Sequence, residues 1–203
     1  MKKILIATTN QRKFNIDAYL LKKAGLKDEY AFYSLADIDY NGEEIKEQGS
    51  NVDRAREKAL YVKEHIENNA FDFIIGIDDG MILKGEKVEN IKDYLMRILY
   101  EDYLKDGESI SFSRAYFMID SNGQASSSEA TVPFTFRQMP NASLQGHPYP
   151  LEQVVVPLGK DKTLSELTDS EYYEYYWKHS RTHIQKLLAP FHIKMDYELG
   201  DVH

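Results

Sequence analysis

Two adjacent aspartates, Asp78 and Asp79, follow a mostly apolar run at residues 71–77. The run predicts a largely buried strand that ends at the two acids. Ligands of open α/β sheets collect at the carboxyl ends of strands, where paired carboxylates can bind a metal ion or activate water. Neighbouring carboxylates also repel each other unless a cation compensates them. The alternative is an Asp-Gly turn at Asp79 and Gly80, with solvated carboxylates.

A polar segment near the amino terminus offers groups that could bind phosphate. Thr8, Thr9 and Asn10 close a strand-like run, and Lys13 follows on the first turn of a predicted helix. A loop between a strand and a helix presents backbone N–H groups at the positive end of the helix dipole, which favours phosphate. The hydroxyl and amide groups add hydrogen bonds, and Lys13 adds a mobile cation. The alternative is that Thr9 or Asn10 only caps the helix, with Lys13 in solvent.

A second predicted helix, which begins at Ser50, carries the acid Asp53 and the cation Lys58. A functional interpretation places Asp53 on a metal ion and Lys58 on a phosphate group. Serine followed three residues later by an acid is also a variant of the capping box, which accounts for Asp53 without any function. Helical spacing puts both side chains outside the apolar stripe of the helix, so they could flank one cleft.

The last third of the chain adds further candidates. Lys162 lies in a lysine-rich loop, where such side chains are usually solvated, and His179 and Arg181 lie on the predicted last helix. His179 and His183 have the spacing of a metal-binding pair, but no glutamate follows His179 as it does in a metalloprotease helix. We therefore interpret the two histidines as polar residues on an exposed helix face.

Composition narrows the classes of function. The chain contains no cysteine, which excludes disulfides, zinc thiolates and cysteine nucleophiles. Its formal net charge of −8 argues against a protein that binds a nucleic acid polymer over its whole surface, but not against a small anionic ligand. No apolar run reaches the ~20 residues of a membrane helix, and the first residues do not resemble a signal peptide. We therefore expect a cytoplasmic protein with no membrane partner.

The apolar pattern predicts an α/β protein in which a mixed central β-sheet is flanked by helices. Strands and helices alternate over the first hundred residues, and a strand pair with an Asn-Gly turn at 122–123 follows. We expect one unit over residues 1–203 with a secondary lobe. The predicted strands are 3–8, 30–36, 71–77, 110–119, 130–136 and 151–156; the predicted helices run from the Asn10–Lys13 turn to Gly25, from Ser50, over 91–104 and over 169–188.

Taken in order along almost the whole chain, these motifs resemble those of the inosine triphosphate pyrophosphatases, which clear non-canonical purine nucleoside triphosphates. Five segments carry the resemblance, and their common order carries more weight than any one of them. They are Thr8–Lys13 for a Thr/Ser-x-Asn-x-x-Lys loop, Asp53–Ala59 for a Glu-Asn-Ala-x-x-Lys-Ala helix, Ile77–Gly80 for a strand with an acidic pair, Lys162–Leu167 for Lys-Thr-x-x-Glu-Leu, and His179–Arg181 for Ser-His-Arg.

The resemblance implies an elongated, two-lobed fold with a central active cleft, usually as a homodimer. It implies hydrolysis of a nucleoside triphosphate to a monophosphate and pyrophosphate with Mg²⁺. Asp79 and Asp53 would hold the metal or orient water, and Asp78 is a second candidate for water activation. The substrate-binding residues implied are Thr8, Thr9, Asn10, Lys13, Lys58, Glu152, Lys162, His179 and Arg181.

The sequence departs from this family at several of the matched positions. Arg54 replaces the family's neutral asparagine, Leu151 replaces an aromatic residue of the base pocket, and Ser180 stands where the family has a base-reading histidine. The phosphate and metal end is therefore better kept than the base end. Two alternatives stay open: a nucleotide-binding or sensing homologue with impaired catalysis, and a Maf-like pyrophosphatase that acts on other nucleotides.

Overall fold

The computed structural model describes residues 1–38, 40, 42, 49–67, 70–88, 91–139 and 149–193. The chain divides into two compact units. The first unit comprises Met1–Asp78, Ala115–Glu129 and Ser180–His203, and the second comprises Asp79–Arg114 and Ala130–His179. Among the described residues, no helix is both long enough and apolar enough to cross a membrane.

Within the described residues, seven strands form one mixed sheet in the order β2-β1-β3-β5-β6-β7, with β4 paired to β3 outside this series. Strand β1 is parallel to both β2 and β3, whereas β4 is antiparallel to β3 and β7 is antiparallel to β6. The predicted α/β class with a mixed sheet is therefore confirmed. The strands are β1 Lys2–Ile6, β2 Tyr30–Ser34, β3 Phe73–Leu83, β4 Glu86–Val88, β5 Ser109–Asp120, β6 Ala125–Phe136 and β7 Val155–Pro157.

The helices are α1 Gln11–Lys23, α2 Asn51–His65, α3 Ile91–Tyr100, α4 Pro150–Val154 and α5 Asp169–Leu188. Most begin with a local hydrogen-bonding device that the sequence makes visible. Ser50 and Asp53 form a capping box at α2, and Thr168 and Glu171 exchange the same reciprocal hydrogen bonds at α5. Such boxes pair N–H groups that the first helical turn would otherwise leave without a partner.

The core of the first unit lies between helix α2 and the sheet. Ala55, Ala59 and Val62 are buried as predicted for the stripe of α2 and cluster with apolar side chains of the strands, whereas Ile66, the fourth predicted member, is half-buried at the C-cap. Small residues on this face of α2 let the helix backbone approach the sheet closely. This close approach determines where the polar side chains of α2 lie.

The core of the second unit contains a group of aromatic residues. The ring of Phe134 lies 4.9 Å from that of Phe112 and 5.4 Å from that of Tyr175, centroid to centroid. The Tyr175 hydroxyl donates to the carbonyl of Pro133 and accepts from the backbone N–H of Leu158, at 2.9 Å in the second case. Helix α5 is thereby fixed to β6 and to the chain after β7.

The expected end of strand β3 at the acidic pair is wrong. Asp78, Asp79 and Gly80 lie within β3, which continues to Leu83, so the Asp-Gly turn is wrong as well. The chain reverses instead at Lys84 and Gly85, whose φ angles of 53° and 86° are both positive. Cationic partners of the two carboxylates, described below, allow the strand to pass through them.

Two other predicted elements also differ from the structure. The stretch predicted as a strand over 151–156 begins as helix α4 and becomes extended only at Val155, since Pro150 at the first helical turn favours a helix start. The helix expected over 91–104 ends at Tyr100. The loop predicted over 138–150 lies mostly outside the described residues.

Candidate functional site

Parallel strands β1 and β3 bring the amino-terminal polar segment and the acid Asp78 to the same edge of the sheet. Ile6 is aligned with Ile75, and the N–H of Ala7 donates to the carbonyl of Ile75 at 2.8 Å. Because the strands run in the same direction, Thr8 and Asp78 both follow the paired region at its carboxyl end. This is the edge at which open α/β sheets bind ligands.

Asn10 caps helix α1 with its side chain, as the capping interpretation predicts. Its Oδ1 accepts from the backbone N–H groups of Arg12 and Lys13 at 3.0 and 3.2 Å, and its own N–H donates to Thr8 Oγ1 at 3.1 Å. These three N–H groups are therefore engaged by the protein itself. A phosphate at this position would be bound by side-chain groups: the amide of Asn10, the hydroxyls of Thr8 and Thr9, and the ammonium of Lys13.

Asp78 forms ion pairs with two cations of helix α2. Arg54 Nε lies 2.8 Å from Asp78 Oδ2, and Lys58 Nζ lies 2.8 Å from Asp78 Oδ1. The side chains are 14% exposed for Arg54, 19% for Lys58 and 7% for Asp78. Lys58 also donates to the carbonyl of Ile77 at 3.3 Å. Lys58 and Asp78, both predicted site residues, therefore meet, but as partners of each other.

Arg54 was not among the predicted site residues, although it makes the pair with Asp78. Its guanidinium also donates to Asn51 Oδ1 and, at 3.5 Å, to the carbonyl of Gly49. Arg54 and Lys58 are four residues apart, so they share one face of the helix. That spacing, together with an acid at a predicted strand end, is the sequence signal that could have identified Arg54.

Asp53 lies on the exposed surface and serves the capping box of α2. Its Oδ2 accepts from Ser50 Oγ at 2.6 Å and from the Ser50 N–H at 3.0 Å, while its own N–H donates to Ser50 Oγ at 3.2 Å. The Ser50 hydroxyl, then its N–H, hold the pKa of Asp53 below the ordinary value. The capping interpretation of this segment is confirmed. Asp53 as a metal ligand stays a prediction.

In the second unit, Asp79 pairs with a buried arginine of strand β5. Arg114 Nη1 lies 3.2 Å from Asp79 Oδ1, with the Arg114 side chain 6% exposed and that of Asp79 26% exposed. A single cation directly before the wholly apolar second half of the predicted strand is the signal that could have marked Arg114. Asp79 thus keeps access to solvent while its carboxylate is oriented from inside.

Two buried tyrosines of helix α5 extend this polar group toward Glu152. Burial, and then the neighbouring Tyr172, raise the pKa of Tyr176 well above the ordinary value, while Arg114 acts in the opposite direction. The two tyrosine rings stack at 5.1 Å, and the Tyr172 hydroxyl donates to Glu152 Oε1 at 3.1 Å. Glu152, a predicted substrate-binding residue, is therefore held by helix α5.

The remaining candidates are placed as follows. Lys162 is exposed and precedes a capping box in which Thr163 Oγ1 donates to Glu166 Oε2 at 2.9 Å. His179, in the second unit, is half-buried beside Tyr175, so the exposed helix face predicted for it is wrong; burial, followed by the charge of Lys178, lowers the pKa of its imidazole. Arg181, in the first unit, is exposed. Their roles in substrate binding stay predictions.

In the described part of the chain, no group of three or more histidine, aspartate or glutamate side chains is arranged to hold a metal ion. Asp78 has both oxygens in ion pairs, Asp53 bonds Ser50, and Asp79 pairs with Arg114. These carboxylates therefore do not present a prepared set of oxygen ligands for Mg²⁺.

Comparison with known proteins identifies the fold. No protein-family model matches the chain, and no curated protein matches it. Solved structures do match over most of their length and most of this chain. The nucleoside-triphosphatase / dITP/XTP pyrophosphatase of Mycobacterium abscessus is 20% identical with a TM-score of 0.57, over 89% of this chain and 95% of that one.

Two further structures match at similar levels. The Ham1 protein of Staphylococcus aureus is 15% identical with a TM-score of 0.61, over 94% of this chain and 96% of that one. A HAM1 protein from Coxiella burnetii is 15% identical with a TM-score of 0.62, over 94% of this chain and 98% of that one. The chain therefore has the Ham1/inosine triphosphate pyrophosphatase fold predicted from its motifs.

Proposed function

We propose that the protein is a hydrolase that converts nucleoside triphosphates, with non-canonical purines as the expected class, to the monophosphate and pyrophosphate. The observation that carries the proposal is the fold shared with a nucleoside-triphosphatase / dITP/XTP pyrophosphatase over 89% of the chain. The polar groups at the carboxyl end of β1 and β3 support it, because this edge collects cations and helix α1 begins there.

The reaction adds water across one phosphoanhydride bond of the triphosphate. Pyrophosphate leaves, the monophosphate keeps one phosphoryl group, and one proton is released. In the first unit, Lys13 and Lys58 would neutralise the phosphate chain as charge builds on the leaving group. In the second unit, Asp79 would accept a proton from the attacking water, with Arg114 fixing the orientation of its carboxylate.

We extend the proposal to the other residues and partners implied by the resemblance. Glu152, Lys162, His179 and Arg181 would contribute to substrate binding, in a cytoplasmic homodimer. The carboxylates in the part of the chain that the structure describes do not fit a metal site built by the protein. We propose instead that Mg²⁺ enters as part of the substrate, bound by the phosphate oxygens.

A second candidate function is nucleotide binding without turnover. The double ion pair of Asp78 favours it, because one of the two carboxylates expected to activate water is engaged in the observed arrangement. Only the first candidate function yields products, so one experiment separates the two.

That experiment incubates the protein with a panel of triphosphates that includes the inosine and xanthosine forms. Monophosphate and pyrophosphate, resolved by anion-exchange chromatography, are the expected products. Release of orthophosphate would overturn the proposed reaction. Saturable nucleotide binding in calorimetry with no turnover at any Mg²⁺ concentration would favour the second candidate.

A further inference from the structure

The carboxylate of Asp78 is neutralised from both sides by the protein itself. Lys58 approaches one oxygen and Arg54 the other, each at 2.8 Å, and all three side chains are largely withdrawn from solvent. Two monovalent cations bring to this carboxylate the same formal charge as one divalent ion. A metal that bound Asp78 would either lie beside the charges of Arg54 and Lys58, which repel it, or displace one of them and leave that cation without its partner in a largely buried position; both are unfavourable.

The geometry around Arg54 makes displacement harder. Its guanidinium also donates to Asn51 Oδ1 and to the carbonyl of Gly49, so it joins the start of helix α2 to strand β3. A planar guanidinium held by several acceptors loses all of them when it moves. Removal of Arg54 from Asp78 would therefore cost more than one ion pair.

We infer that the free protein binds no divalent cation at Asp53, Asp78 or Asp79, and that Arg54 and Lys58 supply at Asp78 the charge that a metal would supply. Any metal used in turnover is then brought in by the phosphates of the substrate. The statement that the substrate brings in the metal rests on the proposed function. The statement about the free protein concerns the protein without nucleotide and is independent of that function.

The test is a titration of the nucleotide-free protein with Mn²⁺, followed by electron paramagnetic resonance. The expected result is an undiminished signal of hydrated Mn²⁺, with the ion immobilised only when a non-hydrolysable inosine triphosphate analogue is added. Stoichiometric immobilisation of Mn²⁺ by the protein alone, lost when one of these three aspartates is changed to asparagine in a folded variant, would overturn the inference. Failure of the analogue to immobilise the ion would overturn the statement that the substrate brings in the metal.

Arg54→Gln tests whether the guanidinium of Arg54 is what keeps a divalent cation from Asp78. Removal of the guanidinium frees one oxygen of Asp78, and we expect Mn²⁺ to bind this variant at least about tenfold more tightly than the wild type. Arg56→Gln is the matched control, because it removes the same charge from an exposed position of α2 and should leave Mn²⁺ binding unchanged. Equal Mn²⁺ binding by the wild type and a folded Arg54→Gln variant would contradict the inference.

A folding control and a second variant keep the result decisive. Circular dichroism establishes whether Arg54→Gln is folded, and Lys58→Gln applies the same test at the other oxygen of Asp78 if it is not. Absence of turnover with every triphosphate would overturn the proposed function, yet the titration of the free protein would still decide the inference. Normal turnover together with Mn²⁺ bound at one of these aspartates of the free wild type would overturn the inference alone.

Discussion

Gly76 of strand β3 lies directly against the backbone of helix α2 at Ala55. A Cβ atom on Gly76 would overlap the Ala55 carbonyl oxygen and would lie 2.9 Å from the backbone nitrogen of Ala59. The helix can approach the strand this closely only because position 76 has no side chain. Gly76 is two residues before Asp78, so the same contact places Arg54 and Lys58 at the carboxylate.

We expect Gly76→Ala to destabilise the protein and to disturb the ion pairs of Asp78 together. The added methyl group meets backbone, which cannot rotate away, so helix α2 must shift; overpacking of this kind costs about 1–3 kcal/mol. Denaturant unfolding measures the loss. The control is Ala130→Gly, on β6 in the other unit, because it removes a buried methyl group without adding contacts on α2. Gly123→Ala is not suitable as a control, because φ is positive at Gly123. An unchanged unfolding free energy for Gly76→Ala would contradict the close contact.

Asp78→Asn should be strongly destabilising, because it leaves Arg54 and Lys58 without their shared counter-charge. Breaking a fully buried ion pair from one side costs about 3–5 kcal/mol, and we expect a smaller loss here because Arg54 and Lys58 are partly exposed. A double-mutant cycle with Arg54→Gln measures the coupling in urea unfolding. We expect the double variant to be less destabilised than the sum of the single variants. Strict additivity would show that the two side chains do not interact.

Substitutions at Lys13 and Asp79 test the proposed chemistry. We expect Lys13→Ala and Asp79→Asn each to remove nearly all turnover in the product assay while circular dichroism shows an intact fold. Lys22→Ala, an exposed lysine near the end of the same helix α1, is the control and should retain full turnover. Normal activity in either test variant would show that the site is misplaced.

Arg114 should act on turnover through the orientation of Asp79. We expect Arg114→Met to lower kcat by about 100-fold with little change in KM, since a small displacement of a reacting group has an effect of this size. Arg114→Lys should recover part of the loss, because it keeps a cation near Asp79 Oδ1. A parallel rise in KM without a fall in kcat would indicate substrate binding instead of positioning.

The capping boxes predict how helix stability depends on pH. The N–H and then the hydroxyl of Thr168 lower the pKa of Glu171 from its ordinary value of 4.5. A lowered folded-state pKa stabilises the fold above the unfolded pKa, and this contribution is lost as the pH falls from about 4.5 through the folded value. Circular dichroism recorded from about pH 6 down to about pH 2 should show that Glu171→Gln loses less helix on acidification than the wild type does. Equal loss of helix with falling pH in the variant and the wild type would contradict the stabilising role assigned to the Glu171 carboxylate.

Elements governed by nearby residues were predicted well from the sequence. The helix over Asp169–Leu188 and the capping of α2 by Ser50 both follow from side chains within a few positions of the element. The buried stripe of α2 follows from helical periodicity alone. In each case the interactions that decide the structure are local.

The path of strand β3 could not be predicted in the same way. Two adjacent acids look like the end of a strand, and only their cationic partners let the strand continue through them. Those partners come from distant positions, Arg54 on α2 and Arg114 on β5. A single sequence does not reveal such pairings, so the candidate site could be located in outline while the engagement of its carboxylates could not.

The shared carboxylate also constrains how this chain can change over evolutionary time. Loss of Asp78 first would leave two neighbouring cations buried together, whereas loss of Arg54 first leaves a single balanced pair with Lys58. Substitutions at these positions are therefore not interchangeable in order. A lineage can exchange Arg54 for a neutral residue and only later alter Asp78, but the reverse route passes through a poorly folded intermediate.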